Sequence, residues 1–327
     1  MVERKDEFLR ISTLFAPLSK GFGGAFMLQD DAAVICPIDG NELVITTDTI
    51  IETIHFLGSE SAGDIAAKLI GVNFSDLAGK GAKPVAYSLN LSLPSKVNDA
   101  WLEEFCRELA RQQNQYGCHL IGGDSVGLPA GAPICLSITA YGELPKGTML
   151  RRNGAGIGDL ICVSGTIGDG ALGLLATRGE LGFGAGAKFL EQRYKRPSPR
   201  VALGQILRGK VCAAMDISDG LIADIGHIAK ASGLQAVIDL PKVPISDAAI
   251  DILADNPNFL DMVLTGGDDY ELLFTIHSTD AGILESLAKE SETALSVVGV
   301  MKDGEGVKAI DRDGKIISFA STGFRHT

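Results

Sequence analysis

Carboxylates recur in six short motifs along this chain: Gln29-Asp30-Asp31-Ala32, Thr46-Thr47-Asp48-Thr49, Asn73-Phe74-Ser75-Asp76-Leu77, Gly122-Gly123-Asp124-Ser125, Asp216-Ile217-Ser218-Asp219-Gly220 and Gly266-Gly267-Asp268-Asp269-Tyr270. One such motif is an ordinary turn or cap, because Asp and Ser side chains bond nearby backbone groups. Six of them, mostly at strand ends or helix starts, fall where α/β proteins place ligands. The donors are all hard oxygens, which suit Mg²⁺ or Ca²⁺ and not zinc. No EF-hand spacing is present, and the motifs run from Asp30 to Asp269. A dispersed Asp set of this kind points to Mg²⁺ bridging the phosphates of a substrate.

Asp76 is the most informative single residue. Ile65, Leu69, Val72, Asn73 and Asp76 form one helical stripe. A carboxylate on that stripe faces inward near the helix C-terminus, where the dipole disfavours negative charge. Burying it unpaired is costly, and a bound cation removes the cost. Asp216 poses the same question, since it ends an apolar strand. Ser218 is placed to cap the helix that follows, with Leu221, Ile225, Ile228 and Ala229 as its apolar face. Asp216 and Asp219 would then flank a metal–phosphate group at a helix N-terminus.

Other chemistries lack their signatures. There is no GxxxxGK[ST] stretch, no HExxH and no GxSxG. Gly182, Gly184 and Gly186 do not follow a strand, so they read as a surface loop and not as a dinucleotide fingerprint. The five histidines, His55, His119, His227, His277 and His326, form no cluster with metal-ligand spacing. The six cysteines include no CxxC pair and read as free thiols of a reducing compartment.

The elements that must position these residues are legible in outline. Predicted strands are Ala32–Cys36, Leu43–Thr47, Tyr87–Leu93, His119–Ile121, Ile134–Leu144, Asp159–Ser164, Ala213–Asp216, Tyr270–His277 and Ser296–Met301. Predicted helices are Asp64–Leu77, opened by Ser61, Asp99–Tyr116, closed by Gly117, Asp169–Thr177, Pro199–Leu207, and Ser218–Ser232, closed by Gly233. Gly179 to Gly186 is expected to be a loop. The mixture is α/β, and 327 residues allow about two domains. The best break is Pro145-Lys146-Gly147, giving domains 1–147 and 148–327. With 29 basic against 41 acidic residues the net charge is −12. Such a chain repels nucleic-acid phosphates and lacks a basic face for anionic lipid. Its charged N-terminus is unlike a signal peptide, and no apolar run is long enough to span a bilayer. The expectation is a cytoplasmic protein with neither nucleic-acid nor membrane partners.

The ordered set of motifs resembles the thiamine-monophosphate kinases, within the superfamily of aminoimidazole ribonucleotide synthetase. It runs from residue 8 to residue 326. Besides the carboxylate motifs it includes His55-Phe56, Gly81-Ala82-Lys83-Pro84, Arg152-Asn153-Gly154-Ala155, Arg196-Pro197-Ser198-Pro199-Arg200 and Gly323-Phe324-Arg325-His326. The resemblance implies ATP-dependent phosphorylation of thiamine monophosphate to thiamine diphosphate. It also implies several Mg²⁺ ions and a homodimer, joined through the sheet of an N-terminal sheet-and-helix domain that precedes a larger α/β C-terminal domain. Asp30, Thr46, Thr47, Asp48, Asp76, Asp124, Asp216 and Asp219 would be metal ligands. Gly123, Asp124, Arg152 and Ser218 would contact ATP, and His55, Asp268 and Phe324 the thiamine phosphate. Gln29, Asp268 and Arg325 replace the family's usual Gly, Glu and Asp.

The residues also agree with phosphoryl transfer on chemical grounds. A phosphate monoester has its second pKa near ~6, so the accepting oxygen is already ionised at neutral pH and no general base is needed. No motif offers one. The obstacle is repulsion between two polyanions, which divalent cations remove. The rival readings are another ATP-using enzyme of the same superfamily, such as aminoimidazole ribonucleotide synthetase, and a non-catalytic divalent-metal-binding protein.

Overall fold

Alternating hydrophobicity in the first half produces a four-stranded sheet. The structure, a computed structural model, describes residues 7–182, 184–319 and 323. A short helix α1 (Glu7–Arg10) comes first. Then β1 (Asn41–Ile51), helix α2 (Ala62–Gly79), β2 (Lys83–Pro94), helix α3 (Asp99–Tyr116), β3 (His119–Leu128) and β4 (Cys135–Pro145) follow. The sheet order is β1-β4-β2-β3. Only β2 and β3 run parallel, and α3 is the crossover that a parallel pair requires. Ser61 Oγ accepts from Asp64 N (3.0 Å) at the start of α2. Asn98 Oδ1 accepts from Trp101 N (2.9 Å) at the start of α3, which stops at Gly117. Each cap satisfies a backbone donor that the helix leaves unpaired. The predicted stripe of α2 is buried through Ile65, Leu69, Val72 and Asn73.

Ala32–Cys36 does not form the predicted strand. The segment is apolar enough for one, but Val34 N bonds Gly24 O (2.9 Å), not a neighbouring strand. Ala33 and Ile35 instead pack with Val85 and Tyr141 beside the buried Ala25, Ala86 and Ile121. Gln29 adopts φ −99° and ψ −3°, so the turn before Asp30 needs no glycine.

The second half builds a seven-stranded sheet. In chain order it contains β5 (Leu160–Ser164), α4 (Asp169–Thr177), α5 (Ala185–Lys195), α6 (Val201–Leu207), β6 (Ala213–Asp216), α7 (Leu221–Ser232), β7 (Gln235–Asp239), α8 (Asp247–Asp255), α9 (Leu260–Thr265), β8 (Leu272–Ile276), α10 (Leu284–Ser291), β9 (Leu295–Lys302), β10 (Gly306–Ile310) and β11 (Ile316–Ile317). The order is β11-β10-β7-β9-β5-β8-β6, antiparallel except for β10 beside β7. Leu221, Ile225 and Ile228 of α7 join Ile161, Met215 and Leu273 of the sheet in one core. A second cluster gathers Leu172, Leu190, Ala249 and Val263 from α4, α5, α8 and α9. The strands β7, β10 and β11 and the helices α5 and α8–α10 have no counterpart among the predicted elements.

Contacts divide the chain into two units, Met1–Leu77 with Lys83–Gly147 and Ala78–Ala82 with Thr148–Thr327. The five residues Ala78–Ala82 belong with the second unit because their backbone is bonded there. Leu150 N donates to Lys80 O (3.1 Å), and Arg208 Nη1 donates to Gly81 O (2.8 Å).

Candidate functional site

Strand alternation decides which residues of Thr46-Thr47-Asp48 act together. In the first unit, Thr46 and Asp48 lie on the face of β1 that meets α2. Thr46 Oγ1 donates to Asp76 Oδ2, and Asp48 N donates to Asn73 Oδ1 (2.9 Å). Asn73 is itself buried and fixed through its Nδ2 on Leu69 O (2.9 Å). Thr46, Asp48 and Asp76 thus line one seam of oxygen donors, and Asp76 is half-buried there. Thr47 points to the opposite face, where its hydroxyl donates to Ile138 O (2.9 Å). A ligand role for Thr47 would therefore run through its backbone carbonyl.

Asp124 is not in that seam. It sits on β3, at the other edge of the sheet from β1, opposite Asn90 of β2. Three strand spacings of ~4.8 Å separate the two edges by about 14 Å. Asp124 is exposed, and its Oδ1 accepts from Ser125 N (2.9 Å). The adjacent Gly123 must be glycine, since a Cβ there would stand 1.9 Å from Leu89 O. Asp30 is also exposed, with its Oδ1 accepting from Asp31 N (2.8 Å). His55 is half-buried in the turn after β1, where its Nδ1 accepts from Ile51 N (3.0 Å).

In the second unit the two late motifs are zipped together by backbone. Ile217 N donates to Glu271 O (2.8 Å), Asp268 N to Ser218 O (3.0 Å) and Tyr270 N to Ile217 O (2.8 Å). Gly267 permits this, because a Cβ on it would lie 2.1 Å from Ser218 O. The pairing holds Ser218 outside the helix, so it does not cap α7 as predicted. That helix begins at Leu221, and no side chain caps its preceding residue, Gly220. Asp224, in the first turn of α7, reaches back instead. Its Oδ2 accepts from Ser218 N (2.9 Å) and Asp219 N (3.1 Å). Burial, and then the charge of Asp216, push the Asp224 carboxyl up to about 8. Asp216 is 4% exposed at the end of β6. A buried carboxylate that repels the neighbouring carboxylate of Asp224 fits a hard divalent cation.

Asp268 takes φ +72°, a left-handed conformation that Asp tolerates better than most side chains. Its Oδ1 accepts from Tyr270 Oη (3.0 Å). Arg152 is exposed and lines a pocket of about 450 Å³ together with Lys80 and Arg151, three cations suited to phosphate. Arg151 O accepts from Ala214 N (2.7 Å), which ties this basic group to β6. Phe324 lies outside the described residues.

Several supporting residues escaped the sequence reading. Asp269 is buried and accepts from Gly168 N (2.8 Å) and Gly170 N (3.0 Å). Glu271 is fully buried between Arg193 and Arg200, and Ser164 Oγ donates to it (2.5 Å). Asp269 and Glu271 stand in or beside the Gly266–Tyr270 motif, but their partners come from distant segments. Proximity in sequence marks the first and cannot supply the second.

Comparison with known proteins extends over almost the whole chain. Residues 29–144 match the family model of AIR synthase related protein, N-terminal domain, and residues 156–312 match that of its C-terminal domain. The thiamine-monophosphate kinase of Caulobacter vibrioides is 39% identical over 323 residues, covering 98% of this chain and 90% of that protein. The crystal structure of thiamine-monophosphate kinase from Stenotrophomonas maltophilia K279a is similar with a TM-score of 0.81 and 40% identity, over 89% of this chain and 91% of that one. AaThiL complexed with AMPPCP and TMP is similar with a TM-score of 0.79 and 31% identity, over 91% of each chain.

Proposed function

The chain belongs to the thiamine-monophosphate kinases of the AIR synthase related family, and from that premise we propose that it transfers a phosphoryl group from ATP to thiamine monophosphate, giving thiamine diphosphate. The observation that carries this reading is the match along 91% of both chains to a protein held with AMPPCP and TMP. Asp30, Thr46, Thr47, Asp48, Asp76, Asp124, Asp216 and Asp219 are proposed to hold Mg²⁺, with Thr47 acting through its carbonyl. Gly123, Asp124, Arg152 and Ser218 are proposed to hold ATP, and His55, Asp268 and Phe324 the thiamine phosphate. When bound, Mg²⁺ neutralises phosphate charge and aligns donor with acceptor. The chain's own part is to orient both substrates and stabilise the charge that moves between them. The transfer is direct and in line, with no phosphoenzyme, because the accepting phosphate arrives ionised.

We further propose a homodimer formed through the first unit's sheet. The division of its oxygen donors between two opposite edges supports this, since a second copy docking edge to edge brings one copy's β3 beside the partner's β1. A cytoplasmic location is proposed as well. It is supported by six free thiols and by the lack, among the described residues, of any helix long and apolar enough to cross a membrane.

The activity is tested by ³¹P NMR of ATP, Mg²⁺ and thiamine monophosphate. Thiamine diphosphate signals should grow as the γ-phosphate signal decays, and unphosphorylated thiamine should remain inert. A bare alcohol has a pKa far above neutrality and would need a positioned base. Efficient phosphorylation of free thiamine, or no product from the monophosphate, overturns the proposal.

A further inference from the structure

At the end of the second unit's sheet away from Asp216, three strand ends present three different ligand types. Asp159 immediately precedes β5, Cys212 precedes β6 and His277 follows β8. Because β8 lies between β5 and β6, with Leu160 opposite Ile276 and Ala213 opposite Thr275, the ladder brings these residues to one sheet end. A carboxylate oxygen, a thiol sulfur and an imidazole nitrogen then lie within 4.8 Å of one another. The four residues of β6 put Asp216 about 13 Å away at ~3.3 Å per residue, so this group does not include the proposed Mg²⁺ ligand Asp216.

The cluster is held from behind. Asp159 is 2% exposed, its Oδ2 accepts from Gly156 N (2.7 Å), and its carbonyl accepts from Met301 N (2.8 Å). Its Oδ1 meets His277 Nδ1 at 2.7 Å, while the His277 side chain is 63% exposed and open to an arriving ion. Cys212 N is tied to Thr275 O (2.8 Å). Asp280, one turn beyond His277, adds negative charge near the thiol.

Two chemistries could use a Cys, a His and an Asp. A nucleophilic thiol needs an imidazole facing it to take its proton. Here Nδ1 of His277 faces the Asp159 carboxylate and not the thiol. A metal ion of borderline softness uses sulfur, nitrogen and oxygen donors together, and three protein ligands leave a fourth tetrahedral position for water.

We propose that Asp159, Cys212 and His277 form a binding site for a zinc-class divalent cation, separate from the oxygen-only Mg²⁺ ligands. On binding, the Sγ–H bond gives way to an Sγ–metal bond. That proton passes to solvent, and the ring proton that His277 holds toward Asp159 moves to Nε2, so that the ring binds as a neutral imidazole. The proposal rests on the second unit alone and does not depend on the kinase reading.

The test uses the full chain in excess Mg²⁺, which occupies oxygen sites, with Co²⁺ as a spectroscopic probe and Zn²⁺ as competitor. One Co²⁺ per chain should bind with tetrahedral visible bands and a thiolate-to-metal charge-transfer band, and Zn²⁺ should displace it. Cys212→Ser should remove the charge-transfer band, and His277→Gln should weaken Zn²⁺ binding by at least about tenfold. Both variants should keep wild-type phosphoryl transfer. Co²⁺ binding without a thiolate band, or a band that survives Cys212→Ser, overturns the assignment, as does unchanged Zn²⁺ affinity in His277→Gln.

Discussion

Asp216→Asn removes a negative charge and almost no volume, so it separates metal binding from folding. The variant should lose about a hundredfold or more in kcat, the scale seen when one group that stabilises transition-state charge is removed. Asp48→Asn should do the same from the first unit, where its backbone bond to Asn73 is kept. Without metal, Asp216→Asn should unfold at a higher temperature than the wild type. Its charge is one of the causes that push the Asp224 carboxyl to about 8, and that repulsion disappears. Calorimetry of the metal-free proteins and steady-state kinetics check the two halves. Near-normal turnover in either variant removes these residues from the proposed ligand set.

Among the elements, the turn after β6 and the segment before β8 act as one piece, and Glu271 anchors it. Its carbonyl accepts from Ile217 N, while its fully buried carboxylate is bonded by Arg193, Arg200 and Ser164. Glu271→Gln leaves two cations facing a neutral amide. Removing one partner of a buried ionic network costs about 3–5 kcal/mol, and the partial exposure of both arginines puts the expectation near ~3 kcal/mol. Urea unfolding measures the loss directly. Because the same piece carries Ser218, Asp219 and Asp268, the variant should also raise KM for both substrates. Unaltered stability and kinetics would show that the anchor is not needed.

For the whole molecule, the separation of Asp48 and Asp124 onto opposite edges of a sheet makes a strong prediction. Two inactive variants, Asp48→Asn and Asp124→Asn, should regain activity when mixed and allowed to exchange subunits. In a 1:1 mixture half the dimers are mixed and hold one intact site of two, giving about a quarter of wild-type activity. No recovery despite proven exchange would place each site within one copy. The stability of the molecule should also depend on pH through Asp269. Burial first, and then nearby Asp169, raise its folded pKa from 3.8 to about 7, against the pull of Gly168 N, Gly170 N and Arg193. The folded state therefore holds a proton that the unfolded chain releases. Stability from this group is complete below pH 3.8 and is lost as pH rises to about 7, with a slope approaching ~1.4 kcal/mol per unit. Asp269→Asn should flatten that part of the pH profile in metal-free urea titrations.

What the sequence determined by itself was local. Apolar spacing gave α2, α3, α4 and the buried face of α7, because helical periodicity and caps lie within a few residues of one another. Donor chemistry gave the oxygen-rich motifs and the expectation of a hard divalent cation, because ligand softness is a property of residue type. The tertiary structure decided which donors meet. It put Thr46 against Asp76 and Asp48 against Asn73, turned Thr47 away, and carried Asp124 to the far edge. It took the cap of α7 from Ser218 and gave the loop's backbone donors to Asp224. It left Ala32–Cys36 outside both sheets, since a strand needs a neighbouring strand that the apolar pattern alone does not supply. His277, which belongs to no histidine cluster along the chain, joined Cys212 and Asp159. The order of strands in a sheet sets these encounters, through hydrogen bonds between segments whose separation in sequence carries no trace of their separation in space.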